Sequence, residues 1–170
     1  QLDFNYSPMP TSGSNYAFLM CRYSDPTHFY MARVQRTTAG GVILTLRKRN
    51  GAESQLGGAY TYAGAFGVSS WFTVRLAAIG SQLSAKVWLR GTAEPAEWQR
   101  TATDTDLTAA GGIGFRSLSS GLPLPVTFSV VNVVVLNHQR MTVTRSINGI
   151  VKAQAAGTDV RLTFPTIAAL

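Results

Sequence analysis

Residues 70–98 read SWFTVRLAAIGSQLSAKVWLRGTAEPAEW. Two alternating runs flank the tetrad Ile79-Gly80-Ser81-Gln82, and Gly-Ser at its centre suits a type II′ hairpin turn. That turn sets Arg75 opposite Lys86, Thr73 opposite Trp88 and Trp71 opposite Arg90. Successive side chains of a strand point to opposite faces. Phe72, Val74 and Leu76 therefore meet Leu83, Ala85, Val87 and Leu89 on an apolar face. The opposite face carries Trp71, Thr73, Arg75, Lys86, Trp88 and Arg90. An alternating hairpin with one oily face implies an all-β domain and a displayed polar surface, and it names no reaction.

The rest of the chain agrees with the hairpin. Asn15 to Tyr23, His28 to Arg36 and Val42 to Arg49 read as strands, separated by Ser24-Asp25-Pro26-Thr27 and by Thr37-Thr38-Ala39-Gly40-Gly41, both turn compositions. Tyr30, Ala32 and Val34 share one face, as do Val42, Leu44 and Leu46. Gly51 to Gly67 reads as a short strand between loops, followed after the hairpin by Gln99 to Thr103, Gly112 to Ser117 and Val126 to Leu136. No window sustains a 3.6-residue apolar period, so little helix is expected. Many short strands with Gly and Pro turns favour a β-sandwich or barrel. Composition shifts after Asn137, where Asn148-Gly149 marks a further hairpin. The expected organisation is a sandwich over residues 1–137 and a small carboxyl-terminal β appendage over residues 138–170.

The 170 residues suffice for one well-buried core, and 45% hydrophobic with 14% charged residues is the balance of a folded domain. A net charge of +7 raises nucleic acid as a partner. The basic residues are scattered, however, and the one dense run, Arg47-Lys48-Arg49, sits at a strand end before Asn50-Gly51, where solvent takes the charge. No nucleic-acid partner is expected. The single cysteine, Cys21, excludes an internal disulfide framework and reads as a small buried residue. The longest apolar stretch, Val126 to Leu136, is interrupted by Thr127, Ser129 and Asn132 and is too short to span a bilayer, so no membrane insertion is expected. A chain opening on Gln1 reads as a segment of a longer protein.

Several stretches together resemble a concanavalin-like, laminin-G-like jelly roll. They are Arg22, Tyr23 and Asp25; Phe29, Tyr30, Ala32 and Arg33; and Gly41, Ile43, Leu44 and Leu46. Trp71, Phe72 and Arg75 lead into Gly80, Leu83, Ala85, Lys86 and Trp88, then Gly91, Glu94, Pro95 and Trp98. Gly112-Ile113-Gly114 and the closing Val126, Phe128, Val131, Asn132 and Val134 complete the pattern. The likeness covers Leu2 to Asn137, and such chains are common among minor tail proteins of actinobacteriophages. The stretch Val143 to Lys152, with Gly157 to Leu162, resembles the carboxyl end of those proteins. The resemblance implies a jelly-roll β-sandwich and assembly with other tail subunits as a three- or six-fold homo-oligomer in the virion tail. The family pattern opens with further amino-terminal strands, so an exposed edge and an open core are expected beside Leu2-Asp3-Phe4.

Glucanases share this architecture, and retaining hydrolysis needs two carboxyl groups about 5 Å apart. Asp104-Thr105-Asp106 has alternate spacing but leads into Gly111-Gly112, which reads as turn and capping chemistry. Glu94 and Glu97 flank Pro95 outside any alternating run, and the Glu-x-Asp-x-x-Glu pattern of related glucanases is missing. His28 and His138 lack a second ligand at metal spacing, so no metal and no cofactor is expected. Cys21 has only Arg22 as a basic neighbour, too little for a reactive thiolate.

The hairpin's polar face is the remaining candidate. Sugars stack their C–H faces on aromatic rings and bond their hydroxyls to charged side chains, so Trp88, Trp71, Arg75, Lys86 and Arg90 are the residues expected to meet host cell-envelope glycan. The competing expectation is that the tryptophans pack under a neighbouring loop and that Arg75 and Lys86 face solvent or an acidic partner such as Glu94 or Glu97. The function expected is a non-enzymatic structural and adhesive component of a phage tail tip or baseplate. A carbohydrate-binding module of a secreted actinobacterial protein and a ligand-free assembly domain are the alternatives.

Overall fold

The computed structural model describes residues 1–135, and these form ten strands and no helix. The expected appendage over residues 138–170 lies outside the described residues. The strands are β1 (Leu2–Ser7), β2 (Ser14–Asp25), β3 (His28–Thr37), β4 (Val42–Asn50), β5 (Ala52–Tyr62), β6 (Phe72–Ile79), β7 (Gln82–Leu89), β8 (Arg100–Thr103), β9 (Gly112–Ser119) and β10 (Thr127–Val131). They build two antiparallel sheets of five, in the orders β10-β1-β6-β7-β8 and β5-β4-β3-β2-β9.

The hairpin forms in the expected register. Arg75 pairs with Lys86 and Thr73 with Trp88, and the Arg90 amide donates to the Trp71 carbonyl at 2.9 Å. Gly80 adopts φ = 56° while Ser81 stays out of the left-handed region, as a type II′ turn requires. The apolar alternation fills the space between the sheets. Phe72, Val74, Leu83, Ala85 and Val87 from the first sheet are buried in one cluster with Tyr30, Ala32, Val34, Val42, Leu44 and Leu46 from the second. Each such aliphatic or phenylalanine side chain contributes about 1.5–3 kcal/mol by leaving water.

Three expectations are corrected. The amino-terminal strand is no edge: β1 lies between β10 and β6, and Leu2, Phe4 and Tyr6 close the core beneath it. The segment after Asn50 carries an eleven-residue strand, because Gly57, at φ = 73°, lets the chain bulge between the Leu46–Leu56 and Leu44–Tyr60 pairs. The bulge adds an even number of residues, so Leu56 and Tyr60 both still face the core. The last strand stops at Val131. There Asn132 turns through φ = 53° and donates its side-chain amide to Asp3 at 2.8 Å.

A second, smaller cluster lies on the far side of the β5-β4-β3-β2-β9 sheet, where Phe18, Met20, Phe29 and Met31 pack together. These residues occupy the alternate positions of β2 and β3, out of phase with Ala17, Leu19, Tyr30 and Ala32 of the main core.

Candidate functional site

The outward face of the first sheet is assembled from rows of neighbours on adjacent strands. Asp3 of β1 pairs with Thr73 of β6, which pairs with Trp88 of β7. One step along, Arg75 lies beside Lys86. Arg75 also reaches the amino-terminal residue, its Nε donating to Oε1 of Gln1 at 2.9 Å. The loop from Gly91 to Gln99 returns over this face. Its anchor is Gln99, whose side-chain amide accepts from the Val87 N–H at 2.8 Å and donates to the Val87 carbonyl at 2.9 Å, standing in for a strand neighbour on β7.

The loop carries the counter-charge. Glu94 Oε1 lies 2.7 Å from Nη1 of Arg75 and 2.5 Å from Nζ of Lys86. The Lys86 ammonium also donates to the Pro95 carbonyl at 2.8 Å and sits 4.8 Å from the centre of the Trp98 ring. Two like charges placed opposite one another on a sheet repel, and a single carboxylate between them turns the repulsion into a bridge. Glu97, the other acidic neighbour expected from the sequence, takes no part in this bridge.

Asp3 repeats the arrangement at the other end of the face. It is buried, and its Oδ1 accepts from the Thr73 hydroxyl at 2.6 Å. Its Oδ2 accepts from Asn132 and lies 3.0 Å from Nε of Arg90. Arg90 in turn rests 5.5 Å from the centre of the Trp71 ring. Glu94 was among the acidic partners the sequence offered to Arg75 and Lys86; Asp3 was not. Asp3 has the right phase between Leu2 and Phe4 to face outward, but nothing local says that β1 lies beside β6.

The five residues expected to meet a glycan therefore divide. Trp88 is 5% exposed and for that reason offers no open stacking face; the Arg75 guanidinium lies 5.9 Å from its ring centre. Lys86 is 6% exposed and fully engaged. Arg75 is held by Glu94 and Gln1. Trp71 is half-buried, and the Arg90 side chain keeps 45% of its exposure. Trp71 and Arg90 alone stay at the surface as a pair.

The other sequence candidates also find partners. Asp104 accepts from the Tyr30 hydroxyl at 2.5 Å and from its own turn at the Asp106 amide, while Lys48 lies 2.6 Å from Asp104 and 2.5 Å from Asp106. Burial works against the Asp104 charge, but the bonds from Lys48, Tyr30 and the Asp106 amide outweigh it and hold the carboxyl below its ordinary range. The same two carboxylates, Asp104 foremost, raise the Lys48 ammonium. Lys48 is thus not a solvated strand end, as its place in a basic run suggested. Arg47 pairs with Glu53. His28 opens β3 with Nδ1 2.9 Å from Asp25. Cys21 packs against the main core, and burial pushes its thiol up to about 11.

One buried cation was not singled out by the sequence. Arg36 is 3% exposed, donates to the carbonyls of Phe66 and Gly67, and lies 4.7 Å from the centre of the Phe72 ring. Burial without a carboxylate lowers its guanidinium to about 10.

Among the described residues, five of the seven carboxylates stand in ion pairs with lysine or arginine, namely Asp3, Glu53, Glu94, Asp104 and Asp106, while Asp25 lies 2.9 Å from Nδ1 of His28. Compared with known proteins, the chain matches no family model and no curated protein.

Proposed function

We propose that this chain is a non-enzymatic structural and adhesive module of a bacteriophage tail tip or baseplate, built as a laminin-G-like jelly roll. It works in the virion tail, assembled with other tail subunits as a homo-oligomer of three- or six-fold symmetry, and touches carbohydrate of the host cell envelope.

The observation that carries the reading is the outward face of the first sheet. Its three cations, Arg75, Lys86 and Arg90, are each held by one of two carboxylates of the same chain, Glu94 and Asp3, which leaves the face one positive charge in excess. Trp71 and Arg90 are left at its rim, an aromatic plane for a sugar's C–H face beside a donor for its hydroxyls. The glycan contact is assigned to this pair rather than to Trp88. A preorganised surface loses little entropy on binding, and weak sugar contacts gain strength when repeated around a symmetric particle.

Two further features support the reading. The chain ends of the sandwich pair as nested partners, β1 with β10 and β2 with β9, as in a wound jelly-roll ribbon. The pairing of five carboxylates with lysine or arginine favours structural anions over a poised acid and base.

The test is glycan-array binding of the chain against bacterial envelope polysaccharides, with native mass measured alongside. The expected result is weak, selective binding that Trp71→Ala abolishes and that leaves the glycan intact. Binding that survives Trp71→Ala and Arg90→Ala together would move the contact elsewhere. Cleavage of the glycan would overturn the non-enzymatic reading.

A further inference from the structure

Among the described residues, nine of the eleven exposed large apolar side chains fall between positions 113 and 135. They lie on β9, on the loop that follows it, and on β10 and its continuation. β9 is the edge of one sheet and β10 the edge of the other, so each presents a row of backbone N–H and C=O groups without a ladder partner among the described residues. Ile113 and Phe115 belong to the phase of β9 that pairs with the core residue Leu19, yet they remain 55% and 46% exposed. The same loop raises Leu124 to 66% exposure, and Val135 stands at 65%. Natural sheets blunt their edges with charge, proline or a covering element. Here residues 112–135 contain one charged side chain, Arg116, and its guanidinium lies 4.4 Å from the centre of the Phe18 ring.

We infer that this side of the sandwich, bounded by β9 and β10, is the surface through which copies of the chain associate. The inference rests on the oligomeric part of the function proposed above and names the interface. Charge selects the occupant. Copies of a chain with net charge +7 repel one another over most of their surface. They can approach closely only where charge is nearly missing, and this side is such a place. An acidic partner would find nothing to pair with here. Size agrees: Leu118 and Val131 face outward with Tyr16 and Asp3, and at roughly 100 Å² for each half-exposed residue of this size the other seven reach ~700 Å² per partner, within the range of a standard interface. Ile113 and Phe115 of one copy then finish their burial against the next, and the open edges gain ladder partners.

The experiment is sedimentation equilibrium of the full chain across a wide concentration range, repeated for Phe115→Lys and Leu124→Lys. Phe115 is already 46% and Leu124 66% exposed, so both variants should fold. Should Phe115→Lys fail to fold, Leu124→Lys carries the test alone. The expected result is a wild-type oligomer whose dissociation constant rises at least tenfold in each folded variant. A wild-type oligomer that neither lysine variant weakens overturns this interface while leaving oligomerisation intact. A wild-type chain that stays monomeric at every concentration overturns oligomerisation itself and the interface with it.

Discussion

The guanidinium of Arg75 lies 5.9 Å from the centre of the Trp88 ring. The aromatic face that the sequence offers to a ligand is thereby met by a residue of the adjacent strand. Cation–π contact of this kind contributes on the order of 1 kcal/mol when partly desolvated, and here it adds to nearly complete burial of the indole. Trp88 belongs to the structure of the face, and Trp71 to its surface.

Truncating the two tryptophans should therefore have opposite signatures. Trp88→Ala should cost about 3–5 kcal/mol, the range for removing a large aromatic from a packed site. Trp71→Ala should cost about 1 kcal/mol or less. Urea denaturation of the two variants measures both, and equal losses would contradict the burial difference.

Glu94 holds two cations at once, so its removal should reveal a buried charge. The Lys86 side chain is 7% exposed, while Glu94 keeps 32% of its own exposure. Glu94→Gln should destabilise by about 2 kcal/mol, below the ~3–5 kcal/mol of a fully buried pair because solvent screens the glutamate. Adding Lys86→Met to Glu94→Gln should recover part of the loss, since an uncompensated ammonium is then no longer buried. A double variant weaker than Glu94→Gln alone would count against this account.

Asp104 gives the stability an acid limb of definite sign. Its carboxyl is depressed in the folded chain, so its contribution is fully present above the unfolded value of about 3.9. The contribution is lost as pH falls from there through the folded value. Between pH 4 and pH 2 the wild type should lose more unfolding free energy than Asp104→Asn, which has no such carboxyl to protonate. Parallel acid limbs in the two proteins would refute the Lys48–Asp104–Tyr30 arrangement.

Cys21 should be nearly inert to thiol reagents while the chain is folded. A thiol raised to about 11 carries a few hundredfold less thiolate at pH 8 than a free cysteine near 8.5. Disulfide-reagent titration should show labelling slowed at least a hundredfold in buffer relative to denaturant. Comparable rates would mean that β2 opens around Cys21.

Much of the fold was legible because alternation is a local property of the pleat. The pairs Arg75–Lys86 and Thr73–Trp88 follow from counting outward from Gly80-Ser81, and the core phases of β3 and β4 follow from Tyr30, Ala32, Val34, Val42, Leu44 and Leu46. The segment after Asn50 was harder, because the Gly57 bulge interrupts the alternation that marks a strand. The candidate site was legible only in its phase. Asp3 and Asn132 meet across 129 positions of sequence, and the Gly91 to Gln99 loop has no periodic signal that tells on which face it will lie.

The sequence by itself determined that residues 1–135 are all β, that Phe72 to Leu89 is a hairpin of one register, and that its oily face lines a core. Turn chemistry and a period of two require no distant partner to act. Only the tertiary structure decided that β1 lies inside its sheet, that Arg36 is buried beneath Phe66 and Gly67, and that Trp88 is covered while Trp71 is not. Those outcomes depend on which remote strand or loop comes to rest against a face. Ladder bonds and ion pairs between residues far apart in the chain set that choice, and no local pattern contains it.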